Sequence, residues 1–211
     1  GVLTKYLLQK HSGTFFALDV DTESVDYLKK HYTAHAEKFL LSDFLQADLH
    51  QLTGQKFNII GNFPYNISSQ IMFSVLEYRN SIDVVVGMFQ KEVAKRIASP
   101  PGSKEYGILS VLLQAFYKIE YCFTVMPGAF QPPPKVQSGV IRLTRNATKT
   151  LNCNEAKFFL VVKTAFNQRR KTLRNALKSL TEEKALESAL FDKRAEQLSV
   201  EQFIELTNLL F

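Results

Sequence analysis

The sequence predicts an α/β protein, with an open doubly wound sheet over residues 1–145 and an all-helical region over residues 150–211. Two observations carry this. Along the first part of the chain, short and nearly unbroken apolar runs alternate with amphipathic segments, a pattern that suits parallel strands covered on both faces. After about residue 150 the apolar residues recur at helical spacing and strand-like runs cease.

Taken in order, "GTFFALDV" (13–20), "KFLLSD" (38–43), "KFNIIG" (56–61) and "IDVVVGMF" (82–89) are expected strands. The segments from Ser24 to His31, Ile67 to Leu76, Lys91 to Ala98 and Ile108 to Tyr117 are expected helices. Alternation of this kind argues for a doubly wound sheet, in which ligands bind beyond the carboxyl ends of the strands. "IEYCFTV" (119–125) and "VQSGVIRL" (136–143) flank a proline-rich turn and suit an antiparallel pair at a sheet edge. Beyond them "NEAKFFLVVKTAF" is expected to run on as helix into "NQRRKTLRNALKSL". Phe159, Phe166, Leu173, Leu177 and Leu180 would then share one stripe, with Arg170, Arg174 and Lys178 stepping by four along another. A last helix opens at "SVEQ" (199–202), where Ser199 and Gln202 have capping-box spacing. "PPP" (132–134) is the longest proline run and is too short to be a linker.

At 211 residues the chain is one large domain, or one standard domain with a small second one. A hydrophobic content of 45% with 22% charged residues supports a packed core and excludes wholesale disorder. No apolar run is long enough to span a bilayer, so no membrane partner is expected. Cys122 and Cys153 are too few and too far apart for a disulfide framework or a zinc site, which suits a reduced, cytoplasmic setting without metal. The net charge of +6 is local: residues 156–180 hold seven basic residues and no acidic one, leaving 19 basic and 20 acidic residues elsewhere. Such a patch points to a polyanion at one surface; a solvated helix face is the alternative.

Three polar residues follow apolar strands directly: Asp19 after "FFAL", Asp43 after "FLLS" and Asn62 after "NIIG". A carboxylate at such a strand end is the usual clamp for ribose hydroxyls, and Asp43 with Phe44 could hold an adenine through its amino group and one apolar wall. Each residue taken singly also fits a helix cap or a turn. "NFPYN" (62–66) shifts the balance, because a turn has use for Asn and Pro but none for two aromatics. An exocyclic amine on a base is a poor nucleophile, since its lone pair is delocalised into the ring. Two acceptors aimed at the NH₂ free that lone pair. Asn62 offers a side-chain oxygen, and Phe63, held extended by Pro64, offers a carbonyl in a fixed direction. Tyr65 offers a ring face for the base. Catalysis of this kind is positioning and oriented dipoles, with no general base in the design.

"GNFPYNISSQIMF" resembles the N-[LIF]-P-[FY] motif of S-adenosylmethionine-dependent rRNA adenine methyltransferases. "QKEVAKRI" (90–97), "GSKEYGILSVLLQ" (102–114), "FQPPPKVQSGVIRL" (130–143), "FNQRRKTLRNAL" (166–177) and "RAEQLSVEQF" (194–203) look like one branch, the small-subunit rRNA adenine N6,N6-dimethyltransferases (the KsgA family). The likeness spans essentially the whole chain. "FNQRRKTLRN" discriminates best, because relatives acting on large-subunit rRNA have a different C-terminal domain. The resemblance implies a Rossmann-like methyltransferase domain followed by a helical rRNA-binding domain. It implies dimethylation of two adjacent adenosines in the 3′-terminal hairpin of small-subunit rRNA, coupled to ribosome biogenesis. Carried over by position, Gly1 would end the glycine loop, Asp19 would bind the cofactor ribose and Asp43 with Phe44 its adenine. Asn62 would lie between methyl donor and target amine. Tyr65 and Phe130 would sandwich the flipped base. Arg169, Arg170, Lys171, Arg174 and Lys178 would grip rRNA, with Lys91, Lys95 and Arg96 as a second cluster. For Phe130 a plain core role is the alternative.

The family usually has Glu where Asp19 stands, one methylene longer. "GVLTKYLL" looks like the second half of the family's glycine loop, so this chain is expected to bind S-adenosylmethionine weakly or not at all, although the full-length protein is expected to be an enzyme. Two rival functions remain. A non-catalytic ribosome-assembly module on the same fold has no need of the Asn62–Tyr65 arrangement. A DNA adenine methyltransferase would not explain the C-terminal blocks, so no DNA partner is expected, and a monomer acting on immature small subunits is.

Overall fold

The computed structural model describes residues 1–10, 13–54, 56–180 and 188–211. The chain opens with α1 (Val2–Lys10) and continues through β1 (Ala17–Asp19), α2 (Thr22–His31), β2 (Phe39–Leu41), α3 (Leu49–Thr53), β3 (Phe57–Asn62), α4 (Ser68–Glu77), β4 (Ile82–Gln90), α5 (Lys91–Ala98) and α6 (Ile108–Gln114). It then forms β5 (Tyr117–Val125), β6 (Ser138–Arg145), α7 (Glu155–Asn167), α8 (Leu173–Ala176) and α9 (Val200–Leu210). The expected strands and helices up to α6 are present, with α1 and α3 in addition to them. The strand from 13–20 is shorter than its apolar run, and the helix from Ile108 ends at Gln114, so that Tyr117 opens β5 instead of closing a helix.

Two sheets result. β1 and β2 pair in parallel, Asp19 opposite Leu41. The second sheet runs β3-β4-β6-β5, with β3 and β4 parallel and β6 antiparallel to both of its neighbours. β3 and β5 are its edge strands, and the expected antiparallel pair is β5–β6, at the β5 edge. Coverage on both faces, expected from the apolar runs, holds for β4 better than for β3. On β3 burial alternates: Phe57, Ile59 and Gly61 face the interior, while Asn58, Ile60 and Asn62 are exposed, Ile60 by 48%. A strand that is apolar on both faces need not be buried on both; β propensity alone favours isoleucine there.

One continuous core joins the sheet to the C-terminal helices. Met72, Val85, Phe89, Leu112 and Ile141 belong to the same buried cluster as Phe158, Leu173, Phe191, Phe203 and Leu206. Arg79 adds a polar tie across residue 150: its guanidinium pairs with Glu155 in the first turn of α7 and lies 4.6 Å from the centre of the Phe116 ring. A smaller cluster of Val25, Leu28 and Phe39 holds α2 to β2.

The expected continuous helix through residues 155–180 is broken. α7 stops at Asn167, Gln168 leaves helical geometry at φ −118° and ψ 42°, and one turn of helix restarts only at Leu173. The break comes from a tertiary contact. Thr172 bridges to Arg194 in antiparallel fashion and the Leu173 N–H donates to the Lys193 carbonyl at 2.8 Å. The buried face of α7 is Phe158, Val161, Val162 and Ala165, so Phe159 and Phe166 only flank it. Arg170, Arg174 and Lys178 accordingly do not share a helix face.

Candidate active site

The ends of β2 and β3 meet. Phe44, one residue after Asp43, packs its ring 6.4 Å from that of Phe63, one residue after Asn62. This contact links the two sheets where Asp43 and Asn62 emerge. Asp19 lies beside Asp43 through β1–β2 pairing, the Ser42 N–H donating to the Asp19 carbonyl at 2.9 Å. Three of the sequence-predicted residues are thus gathered at strand ends, as an α/β sheet positions a ligand site.

Each keeps hydrogen-bonding capacity. Asp19 accepts the Asp21 N–H on Oδ1 at 3.0 Å, and Asp43 accepts the Leu45 N–H on Oδ1 at 2.9 Å. Among the described residues the second oxygen of each carboxylate has no protein donor. Those free oxygens, the exposed position of Asp19 and the Phe44 ring fit a ribose and an adenine, the acceptors and apolar wall that a nucleoside cofactor requires. Asp21 is engaged differently. Its carboxylate caps α2, accepting from the Ser24 hydroxyl and N–H, and these bonds hold its pKa below the usual value. Gly1 stands at the start of α1 against Leu28, where a Cβ would come 2.8 Å from Leu28 Cδ2.

The Asn62–Tyr65 segment is built by opposed side chains. Phe63 turns inward, its ring 5.3 Å from Phe89. Asn62, on the opposite face of the strand, is exposed, and its amide has no partner among the described residues. The Phe63 N–H donates to the Met88 carbonyl at 3.2 Å, while its own carbonyl accepts nothing among the described residues. Pro64 is extended at ψ 132°, and Ser68 closes the turn by donating to the Pro64 and Tyr65 carbonyls. The Tyr65 hydroxyl meets the Ser138 hydroxyl at 2.6 Å.

Phe130 follows a short 3-10 turn (Pro127–Ala129), half-buried and extended. It belongs to neither core cluster, and among the described residues neither its ring nor that of Tyr65 pairs with another aromatic. The basic residues divide. Lys91 is half-buried and its ammonium donates to Gln137 Oε1 at 2.6 Å; Lys95 and Arg96 are exposed on α5. Arg169 donates to the Lys104 carbonyl at 2.5 Å and lies 3.7 Å from Glu196, while Arg174 pairs with Asp192 at 2.8 Å. Arg170, Lys171 and Lys178 are exposed. Sequence reasoning missed Ser138, Gln137 and the Gly61–Gly87 pair; the first two lie within the "KVQSGV" block but carry no signal beyond it.

An exposed amide and an unengaged carbonyl thus stand beside two carboxylates with free oxygens on a Rossmann-like sheet, the fold of a methyltransferase. The fold is shared with a dimethyladenosine transferase from Plasmodium falciparum (TM-score 0.75, 23% identity, 90% of this chain and 78% of that one) and with the 23S rRNA methyltransferase ErmE (TM-score 0.74, 23% identity, 100% and 86%). The chain belongs to the ribosomal RNA adenine dimethylase family, whose model matches residues 1–211. It is 58% identical over 211 residues to "Ribosomal RNA small subunit methyltransferase A" of Cytophaga hutchinsonii, covering all of this chain and 82% of that protein. It is also 58% identical over 209 residues to the protein of the same name from Flavobacterium johnsoniae, covering 98% and 80%.

Proposed function

We propose that this protein dimethylates the N6 amines of two adjacent adenosines in the 3′-terminal hairpin of small-subunit rRNA during ribosome biogenesis. The observation that carries the reading is the pairing of an outward, unpartnered Asn62 amide with the unengaged Phe63 carbonyl, at a strand end joined to Asp43 through the Phe44–Phe63 contact. S-adenosyl-L-methionine, when bound, supplies an electrophilic methyl group. Asp19 would accept from its ribose, and Asp43 with Phe44 would hold its adenine.

Asn62 Oδ1 and the Phe63 carbonyl accept from the target amino group and draw it toward tetrahedral geometry, which frees the nitrogen lone pair. Tyr65 and Phe130 offer ring faces that offset part of the few kcal/mol lost when a base leaves its stack. No side chain need take the proton, because the methylated amine is acidic enough to release it to water. Residues 150–211, with exposed Arg170, Lys171 and Lys178, supply a positive surface for the rRNA backbone, and Lys95 and Arg96 a second one. The free cysteines Cys122 and Cys153 suit the reducing cytoplasm in which small subunits mature.

Methyl transfer to immature small subunits by the full-length protein is the test. Asn62→Ala is expected to lower the rate by at least about a hundredfold, the scale set by loss of one positioned oxyanion-type group, while binding to the particle is retained. Unchanged transfer by Asn62→Ala would exclude the mechanism, and binding without any transfer by the wild type would favour the assembly module.

A further inference from the structure

We propose that Ser138 is a positioning residue of this site: its hydroxyl holds the Tyr65 ring at the angle on which a target base stacks. The inference rests on the reading above. Ser138 is fully buried where three strands meet, opposite Gln90 at the end of β4 and Val125 at the end of β5. A buried hydroxyl requires a partner. Among the described residues Ser138 Oγ has one, the Tyr65 hydroxyl at 2.6 Å, across 73 residues of sequence.

The bond restrains the ring in two ways. Ser68 fixes the backbone end of Tyr65 through its carbonyl at 3.0 Å, and Ser138 fixes the phenol end. A phenol hydroxyl prefers to bond in the plane of its ring, so a short bond at that end also resists rotation about the long axis of the side chain. Among the described residues no other aromatic ring stacks on either face. A tyrosine held only at its backbone would sample several rotamers before each stacking event.

Ser138 also borders the root of the loop that bears Phe130. The preceding residue, Gln137, accepts from the Lys91 ammonium at 2.6 Å and donates to Met126 Sδ at 3.2 Å, while its carbonyl takes the Lys91 N–H at 2.9 Å. Met126 and Gln137 are the two ends of that loop. One strand terminus therefore sets the Tyr65 ring on one side and closes the Phe130 loop on the other. Lys91 also belongs to this frame through its two bonds to Gln137.

The test compares steady-state methylation of immature small subunits by the full-length protein as wild type, Ser138→Ala, Ser138→Thr, Tyr65→Phe and the Ser138→Ala/Tyr65→Phe pair. Ser138→Ala is expected to lower kcat about tenfold with little change in KM for the particle, the scale of one neutral hydrogen bond. Ser138→Thr keeps the hydroxyl and most of the rate. Tyr65→Phe reproduces the loss while retaining the ring, and the double variant adds almost nothing to either. Tyr65→Phe, altered at the half-buried end of the bond, reads the same interaction if Ser138→Ala folds poorly. Wild-type kcat in both single variants would overturn the inference while leaving the function intact. A wild type that transfers no methyl group would remove the function and the inference together.

Discussion

At the scale of single residues, the site depends on two glycines that no motif singles out. Gly61 and Gly87 sit opposite one another in the β3–β4 register, and the Phe63 ring lies over both. A Cβ at Gly61 would meet Phe63 Cε1 at 2.7 Å. At Gly87 it would meet Phe89 Cε2 at 2.5 Å and Phe63 Cε2 at 2.7 Å, both on rings held in packed surroundings. Gly87→Ala is therefore expected to destabilise the protein by about 1–3 kcal/mol, the usual cost of overpacking, measured by denaturant unfolding. Gly61→Ala falls at the lower end of that range, since only Phe63 must move. Both should slow methyl transfer, because Asn62 lies between Gly61 and Phe63 in the chain. Sequence reasoning gave Phe63 a role for its carbonyl alone. Its ring has a second role, as the wedge that joins β2 to β3, and this depends on Gly87 and Phe89 from another strand. No local pattern carries that information.

At the scale of elements, local chemistry decides some helices and loses others. α9 begins where capping chemistry places it: Ser199 Oγ accepts the Gln202 N–H at 3.3 Å, and Gln202 Oε1 accepts the Ser199 N–H at 3.2 Å. Phe203, Leu206 and Leu210 are buried beyond it. Ser199→Ala is expected to cost about 1 kcal/mol, read as a lowered melting temperature, with Ser199→Asp retaining most of the stability. The α7–α8 break is the contrasting case. Residues 155–180 contain no Gly or Pro to announce a stop, and helix propensity runs through them. The pairing of Thr172 with Arg194 and of Leu173 with Lys193 wins because it lets α8 bury Leu173 and Ala176 in the common core.

At the scale of the whole molecule, the break redistributes the positive charge. Arg169 is drawn back to the Lys104 carbonyl and Glu196, and Arg174 to Asp192. Arg170 and Lys171 remain exposed, without an ion-pair partner among the described residues. Reversing both, Arg170→Glu with Lys171→Glu, is expected to weaken binding to immature small subunits. The slope of log affinity against log salt should become shallower by roughly 0.7–0.9 for each phosphate that is no longer neutralised. Filter binding across a salt series measures this, and the cofactor affinity of the full-length protein serves as the unaffected control. An unchanged slope would place the rRNA surface elsewhere.

The amino-acid sequence by itself determined the α/β order of elements, the strand-end placement of Asp19, Asp43 and Asn62, and the cap of the last helix. Each of these follows from periodicity or from bonds between residues a few positions apart. Tertiary structure alone decided which side chains close the site. The Phe63 wedge over two glycines, the Tyr65–Ser138 bond and the division of the basic residues all join segments distant in the chain. Such contacts form only when burial of a common core outweighs local preference, and a linear pattern holds no record of that balance.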